Sequence, residues 1–290
     1  MNERLALGTV QFGLEYGVAN QSGRVGLQEA GRILAAAWAE GINTLDTAIA
    51  YGDSEQSLGQ VGVGQWNIVS KLPAFPEGVT NLHEWVKDQI HGSLARLGVS
   101  QLDAVLLHRP DQLFARQGPE LLKALKETKS SGLTKKVGVS VYAPQELDRL
   151  FETMHFDLVQ APMNIMDRRF TESGWAGKLR RMGVELHVRS AFLQGLLLMP
   201  PTARPAKFSR WQSVWQDWDR WLEAEGVSAL DACLRYVLSV PEVDKVVFGV
   251  DSVDQLRQIL GAASGGLSSL PLWPQAIDLN LINPALWSQL

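Results

Sequence analysis

Residues 43–57 read NTLDTAIAYGDSEQS, and the fold prediction rests on the pattern of this stretch. Its first half is an apolar run that carries an acid, Asp46, as is typical of the end of a buried strand. A loop that presents Tyr51 and the start of a helix follow. Two later stretches repeat this arrangement: WNIVSKL ends a predicted strand on Lys71, and LDAVLLHRP ends another on His108. We therefore expect three strands to end on polar side chains.

Short apolar runs alternate with amphipathic segments along nearly the whole chain, which indicates parallel strands covered by helices. The centres of these strands, such as AVLL and VVF, are continuously apolar, as buried parallel strands are. A dinucleotide-binding sheet should carry G-x-G-x-x-G after its first strand, and Gly8, Gly13 and Gly17 have the wrong spacing. The sequence thus predicts an α/β fold, a (β/α)8 TIM barrel, as a single domain over residues 1–290. The predicted strands are 5–13, 42–48, 66–72, 102–108, 135–142, 156–164, 184–192 and 244–250.

The composition is that of an ordinary globular protein and excludes several classes of function. Of 290 residues, 46% are hydrophobic and 20% are charged. The net charge is −4 with scattered Lys and Arg, so we expect no nucleic-acid partner. The single cysteine, Cys233, excludes an intramolecular disulfide and favours a reducing compartment. Since neither a signal-peptide pattern nor a long apolar run is present, we expect a cytoplasmic protein without membrane contact.

Asp46, Tyr51, Lys71 and His108 form a candidate catalytic group, because strand ends in a parallel barrel meet on one rim. Singly, each has an ordinary structural explanation, such as a helix cap or a solvated amine. Jointly, they indicate a site at the face where barrels carry out chemistry.

The chemistry of these four groups is proton transfer to a carbonyl. A tyrosine phenol ordinarily has a pKa of about 10, and a nearby lysine ammonium favours loss of its proton. The aspartate would keep the ammonium charged and aimed, and the histidine would orient the carbonyl oxygen. A hydride has to come from a cofactor, because no side chain supplies one. His, Cys and carboxylates show no ligand spacing, so we predict no metal site.

Several motifs occur in the order found in one family: LGTVQFG, NTLDTAIAYGDSEQSLG, IVSK, LLHRP, VGVS, VQAPMN, RSAFLQGLL and VSALDACLRYVLSVPEVDKVVFGV. On these motifs the chain resembles a bacterial aldo-keto reductase over nearly its whole length. The resemblance implies a (β/α)8 barrel, a catalytic tetrad of Asp46, Tyr51, Lys71 and His108, and an extended NAD(P)H across the strand ends. The cofactor-binding residues that it implies are Gly8, Thr9, Asp46, Ser140, Gln160, Arg189, Ser190, Phe192, Gly195, Gly249, Val250, Asp251, Ser252 and Gln255.

Three positions depart from the family's pattern. Val141 stands where members commonly have an asparagine that contacts the nicotinamide. Arg189 stands where many have an aromatic ring that stacks on it; a guanidinium is planar and can also stack, or it pairs with a neighbouring acid. Asp251 lies near the position at which NADP-preferring members usually have a basic residue. An acid there suits the ribose hydroxyl of NAD, and either Arg257 or the basic candidate lid loop, residues 198–210, could compensate for its charge. The resemblance to the family slightly favours NADP(H) as the cofactor, and NAD(H) is the alternative.

Three segments outside the predicted site have more than one interpretation. Residues 198–210, rich in proline and locally basic, are a candidate lid loop. Trp211, Trp215 and Trp218 share one helical face and either pack on the barrel or form an interface. The C-terminal tail, 272–290, either borders the substrate pocket or wraps the barrel.

The leading functional hypothesis is NAD(P)H-dependent reduction of an aldehyde or ketone, with Tyr51 as general acid. The same residues in reverse would make an NAD-linked sugar or aldose dehydrogenase. A third hypothesis is a cofactor-binding regulatory protein with vestigial activity, since fold does not dictate function. The partner in the first two is a small carbonyl or sugar substrate; the oligomeric state stays open.

Overall fold

Eight parallel strands close into a barrel in the computed structural model of the chain, which describes residues 2–20, 22–273 and 276–290. Each strand pairs with the next along the chain, and the last pairs with the first through Leu5 and Val246. The predicted single-domain (β/α)8 barrel is therefore confirmed. The strands are β1 Leu5–Gly8, β2 Thr44–Asp46, β3 Asn67–Leu72, β4 Leu102–Leu107, β5 Thr134–Ser140, β6 Leu158–Pro162, β7 Glu185–Arg189 and β8 Lys245–Phe248.

Helices cover the outside of the barrel, and their ends follow from local sequence signals. The long third helix begins where the Asn81 side chain accepts a hydrogen bond from the N–H of Glu84, and it ends at Gly98 with a φ of 67°. The helices of the described residues are α1 Leu27–Ala39, α2 Ser54–Val61, α3 Leu82–Leu97, α4 Gly118–Ser130, α5 Pro144–Thr153, α6 Arg169–Glu172, α7 Trp175–Arg181, α8 Gln212–Glu225, α9 Ala229–Ser239, α10 Val253–Ala262 and α11 Leu279–Ile282. None of them, in these described ranges, is both long and apolar enough to cross a membrane.

The apolar core has two layers. The larger lies between the strands and the surrounding helices, and a small inner cluster of Val69, Ala104, Leu106 and Leu158 fills the barrel itself. The interior is tight at Gly138 of β5, where a Cβ atom would stand 2.1 Å from the carbonyl oxygen of Leu158. Small residues here let neighbouring strands close around a packed centre rather than a pore.

The first strand is shorter than predicted: β1 ends at Gly8, and residues 10–12 form a 3₁₀ turn instead of continuing to 13. The chain turns because the N–H of Phe12 bonds back to Thr9 and that of Gly13 to Val10. The alternation of apolar and polar side chains in this segment misled the strand prediction. The turn brings the backbone of Gly13 into close contact with the backbone of Tyr51.

The tryptophan stripe packs inward, since Trp211, Trp215 and Trp218 are all buried in the core. Residues 198–210 fold into short 3₁₀ turns rather than an open loop, with Phe208 fully buried. Of the predicted C-terminal tail, 272–290, residues 274 and 275 lie outside the described residues. Within the rest of it, Trp287 packs against Phe208 with ring centroids 4.8 Å apart.

Candidate active site

A buried ion pair stands at the carboxyl ends of β2 and β3. Lys71 Nζ lies 2.6 Å from Asp46 Oδ1, and the lysine also donates to the carbonyl oxygen of Thr47 at 2.9 Å. The second carboxylate oxygen of Asp46 accepts from the Gln160 side-chain amide at 2.6 Å. Both charges are thus taken out of water with their hydrogen bonds made, which fixes the amine in one position.

The amine of Lys71 is aimed at Tyr51. Its Nζ lies 5.0 Å from the centroid of the phenol ring. Burial alone would lower the pKa of Lys71, but the negative charge of Asp46 and the proximity of Tyr51 outweigh it and raise the pKa above its ordinary value. The lysine therefore stays protonated and presents a permanent positive charge to the phenol.

Tyr51 is held by backbone contacts of the loop after β2. Its N–H bonds to the carbonyl of Ala48, and its own carbonyl accepts from Ser54 at the start of α2. A Cβ atom on Gly13 would stand only 1.9 Å from that same carbonyl, so the 3₁₀ turn after β1 closely supports the loop. The sequence thus places the tyrosine by tight packing rather than by a regular element.

His108 follows β4 directly, and its N–H continues the strand by bonding to the carbonyl of Leu72. Its imidazole meets the Tyr51 ring edge to face, with centroids 5.9 Å apart and planes at 80°. Burial, followed by the positive charges of Lys71 and Arg189, lowers the pKa of His108 to about 4. At neutral pH it is an uncharged hydrogen-bonding group. The structure therefore brings all four predicted catalytic residues together.

A cleft of about 320 Å³ runs from Asp46 and Tyr51 across the barrel mouth to Asp251 and Gln255. Most of the residues predicted to bind the cofactor line it: Gly8, Thr9, Asp46, Arg189, Ser190, Phe192, Gly195, Gly249, Asp251 and Gln255. Four predicted contacts lie off its surface: Ser140, Gln160, Val250 and Ser252. Of these, Val250 is buried, and Ser252 caps α10 by accepting from the N–H of Gln255.

The cleft has the polar features that an extended dinucleotide requires. Three buried oxygen atoms in or beside it have no partner within the described residues: Gln160 Oε1, Gln11 Oε1 and Asp251 Oδ1. Buried acceptors without a donor are rare in proteins and are typically completed by a ligand or water. The cleft wall at Gly249 has no side chain, and a Cβ atom added there would stand 2.2 Å from the Gln11 side chain. The residues present therefore fit a bound nicotinamide dinucleotide.

The far end of the cleft is acidic. The N–H groups at the start of α10 are already bonded, that of Asp251 to Gln255 Oε1 at 2.8 Å and that of Val253 to Glu29 Oε1 at 3.1 Å. Burial raises the pKa of Asp251, and the hydrogen bond from Gln255 opposes this. Arg257, which would offset the acid, instead pairs with Asp254 at 2.9 Å. This corner presents acceptors rather than cations.

Arg189 ends β7 and faces the catalytic end of the cleft. Its guanidinium carbon lies 4.5 Å from the Tyr142 ring centroid, and Nη2 donates to the carbonyl of Val141 at 3.2 Å. Pairing with a neighbouring acid, one of the expectations for this position, is wrong within the part of the chain described, because none of its ion pairs includes Arg189 and Asp46 at this end pairs with Lys71.

Sequence reasoning missed the residues that join two loops at the cleft. The Val18 N–H donates to the carbonyl of Gln194, the Gln194 amide donates to the Tyr16 hydroxyl at 3.2 Å, and Ala19 packs against Gly195. Gln194 lies in the left-handed region with a φ of 54°, which is strained for a residue with a side chain. In the sequence, the glycine of this loop, Gly195, is a local hint of the turn. No periodicity encodes contact between distant loops.

Known proteins resemble this chain in sequence and in fold. The sequence profile described as the Aldo/keto reductase family matches residues 4–269. A 6-dehydroglucose reductase of Novosphingobium aromaticivorans is 27% identical over 232 residues, which are 73% of this chain and 73% of that protein. An aldo-keto reductase of Gibberella moniliformis is 26% identical over 222 residues, 71% of this chain and 66% of that protein. The chain thus spans just under two thirds of the length of this second relative.

A solved structure has the same architecture. An aldo-keto reductase of Bacillus halodurans, in its holo form, superimposes with a TM-score of 0.70 and 22% sequence identity. The match covers 93% of this chain and 88% of that one. At this identity the likeness shows the shared barrel, and the chemistry has to be argued from the residues of the cleft.

Proposed function

Because the chain belongs to the aldo/keto reductase family, we propose that it reduces an aldehyde or ketone to an alcohol with NAD(P)H, with Tyr51 as general acid. The observation that carries this proposal is the buried ion pair, in which Lys71 lies 2.6 Å from Asp46 and directs its charge at the phenol. A permanently charged, hydrogen-bonded lysine beside a tyrosine has a clear use when the tyrosine must release a proton.

The residues of the cleft divide the reaction between them. When bound, the reduced nicotinamide supplies a hydride that forms a C–H bond at the carbonyl carbon. Tyr51 donates its hydroxyl proton to the carbonyl oxygen as the C=O double bond becomes single. The ammonium of Lys71 stabilises the resulting phenolate, and Asp46 keeps that ammonium in place. In the reverse direction Tyr51 removes the proton from the alcohol.

His108 orients the carbonyl oxygen in this proposal. The imidazole and the Tyr51 ring lie edge to face with centroids 5.9 Å apart, and the proposal places the carbonyl oxygen where both side chains can donate a hydrogen bond to it. The lowered pKa of about 4 keeps the imidazole neutral. A neutral donor polarises the carbonyl and does not compete with Tyr51 in supplying the proton.

For the cofactor we propose NAD(H), although family habit favours NADP(H). The support is the acidic far end of the cleft. There Asp251 has an oxygen without a partner among the described residues, and Glu29 accepts a hydrogen bond from the N–H of Val253. Carboxylates suit a ribose hydroxyl and repel a 2′-phosphate. Fluorescence titration of the protein with NADH and with NADPH tests this choice; tighter binding of NADPH would contradict it.

The test of the reaction is Tyr51→Phe, which removes only the hydroxyl. We expect kcat to fall by about 10²- to 10⁴-fold, the usual contribution of a general acid, with unchanged affinity for the reduced cofactor. Tyr236→Phe is the matched control, because it removes a buried hydroxyl on α9, outside the cleft. Retained turnover in the Tyr51 variant would overturn the proposal. Tight cofactor binding without turnover of any carbonyl by the native chain would favour a regulatory protein.

A sugar dehydrogenase is the second candidate. It is favoured by the similarity to a 6-dehydroglucose reductase, a protein whose name refers to a sugar derivative, and by the acid at position 251. The direction is decided by assaying an aldose panel with NAD⁺ beside an aldehyde panel with NADH. Faster oxidation of an aldose than reduction of any aldehyde would assign the second candidate.

A further inference from the structure

Arg189 is a fixed cation at the catalytic end of the cleft. It is half-buried and lines the same cavity as Asp46 and Tyr51. Stacking on Tyr142 and the hydrogen bond to Val141 hold its guanidinium in place. A side chain anchored in this way has already lost most of its rotational freedom, so it binds a ligand at a smaller entropic cost.

The charge of Arg189 is not neutralised by the protein. Within residues 2–20, 22–273 and 276–290, no carboxylate forms an ion pair with it. Asp46, the acid at the catalytic end, already uses both oxygens, one for Lys71 and one for Gln160. With His108 neutral, the catalytic end therefore carries one net positive charge.

The free N–H groups of Arg189 suit a carboxylate. A guanidinium has five N–H donors, and one points to the carbonyl of Val141 and another, at 3.5 Å, to Ser190 Oγ. The others remain for a ligand, in the planar arrangement that matches two carboxylate oxygens. The lining of the same cleft includes apolar surface, with Leu198 and the ring of Tyr16 both partly exposed.

Resting on the proposed reductase function, we propose that Arg189 selects carbonyl substrates that carry a carboxylate on an apolar body. The carboxylate binds the guanidinium, the apolar body lies against Leu198 and Tyr16, and the carbonyl reaches Tyr51. Arg189 is then a specificity-determining residue, and the aromatic ring that many family members have at this position is replaced by an anion site.

The experiment compares two aldehydes that differ in charge, 4-carboxybenzaldehyde and methyl 4-formylbenzoate. We expect the native enzyme to prefer the acid in kcat/KM, and Arg189→Met to lower the acid-to-ester ratio by about ten- to hundredfold, the value of a charge-assisted hydrogen bond. Arg189→Lys, which keeps the charge but not the planar fork, should give an intermediate ratio. In direct titration, benzoate should bind the native protein more tightly than benzamide, and Arg189→Met should lose that difference.

The matched control is Arg109→Met. Arg109 also acts electrostatically on His108, but it is exposed and pairs with Asp111, outside the cleft. An equal change in both variants would show a general charge effect and would overturn the assignment. So would an unchanged ratio in Arg189→Met, or a loss of cofactor affinity that slows both aldehydes equally.

Two measurements keep the inference separate from the proposed function and from misfolding. If the native enzyme reduces neither aldehyde, the reductase proposal fails, and the benzoate titration still decides whether Arg189 binds an anion. If Arg189→Met does not fold, as judged by near-ultraviolet circular dichroism, raising the ionic strength of the native enzyme replaces it. Salt should lower kcat/KM for the acid and leave the ester unaffected; equal effects on both would contradict the inference.

Discussion

The two ends of the cleft differ in how their polar groups are satisfied. At the catalytic end, the carboxylate of Asp46 has a protein donor on each oxygen, and Lys71 bonds to Asp46 and Thr47. At the far end, Asp251 Oδ1 and Gln11 Oε1 are buried without a partner among the described residues. The Asp46–Lys71 pair at the first end is satisfied by the protein itself, although Gln160 Oε1 beside it has no partner among the described residues; at the second end the acid itself has an unpartnered oxygen.

This difference separates chemistry from recognition. A catalytic group must hold one geometry in every turnover, so its neighbours are strand ends and backbone atoms that cannot move. A recognition site gains specificity by leaving acceptors that only the correct ligand satisfies. Substitutions at the catalytic end should therefore damage both stability and rate, whereas those at the far end should change mainly which ligand binds.

The largest effect is expected from Lys71→Met. It leaves Asp46 charged and buried without its cation, so we expect a loss of about 3–5 kcal/mol in the free energy of unfolding and a fall of at least ~10²-fold in kcat. Urea denaturation and steady-state kinetics measure the two. The double variant Lys71→Met/Asp46→Asn should regain part of the stability and none of the rate. If the Lys71→Met variant kept native stability, the Lys71–Asp46 pair would not be what holds the site in place.

Two glycines, one at each end of the cleft, allow the two ends to be compared directly. Ala at Gly13 would place Cβ 1.9 Å from the Tyr51 carbonyl oxygen and 2.5 Å from the Ser54 nitrogen, both backbone atoms. Ala at Gly249 would meet only the flexible tip of the Gln11 side chain, at 2.2 Å. We expect Gly13→Ala to cost about 3 kcal/mol of stability, and Gly249→Ala less than about 1 kcal/mol.

Thermal denaturation of the two glycine variants, together with kcat, checks this contrast. Gly13→Ala should also slow turnover, because the displaced loop carries Tyr51. Equal losses of stability in the two variants would remove the distinction between a rigid and an adaptable end.

The same contrast explains what the sequence could predict. Asp46, Lys71 and His108 could be predicted to lie together because each stands at the end of an apolar strand, and strand ends in a parallel barrel share a rim. Tyr51 followed from its place in the loop between such a strand and the start of the next helix. These residues depend on local pattern and topology, which are both present in a single sequence.

Other features depend on contacts between loops that are distant in sequence. The meeting of Tyr16 with Gln194 and the position of Gln11 over Gly249 have no periodic signal, so they were missed. The predicted β1 was too long because the alternating Val-Gln-Phe pattern of residues 10–12 is compatible with both a strand and a 3₁₀ turn. Whether residues 198–210 act as a lid stays a prediction; of that segment, all of which the structure describes, Leu198 lines the cleft.

His108 should make stability depend on pH at the catalytic end. Its folded-state pKa of about 4 lies below the ordinary value of 6.5, because of burial and of the charges on Lys71 and Arg189. The unfolded chain therefore binds the proton first, and stability is lost as pH falls from about 6.5 to about 4. Allowing for partial exposure, we expect a loss of about 2 kcal/mol across this window.

Urea denaturation at several pH values measures this slope. In His108→Asn the part of the slope due to this residue should vanish, since the replacement does not titrate. A native-like slope in that variant would assign the pH dependence to other groups.

Asp251→Asn should have the smallest effect and only on recognition. The substitution removes a negative charge from the far end of the cleft and keeps the shape of the side chain, so repulsion of a 2′-phosphate decreases. We expect the ratio of the NADPH and NADH dissociation constants to fall by about tenfold, or ~1.4 kcal/mol, with little change in stability or in kcat with NADH. Asp254→Asn is the matched control, because Asp254 begins the same helix but is exposed and paired with Arg257. An equal shift in both variants would mean that long-range charge, rather than contact at the unpartnered oxygen of Asp251, sets the cofactor preference.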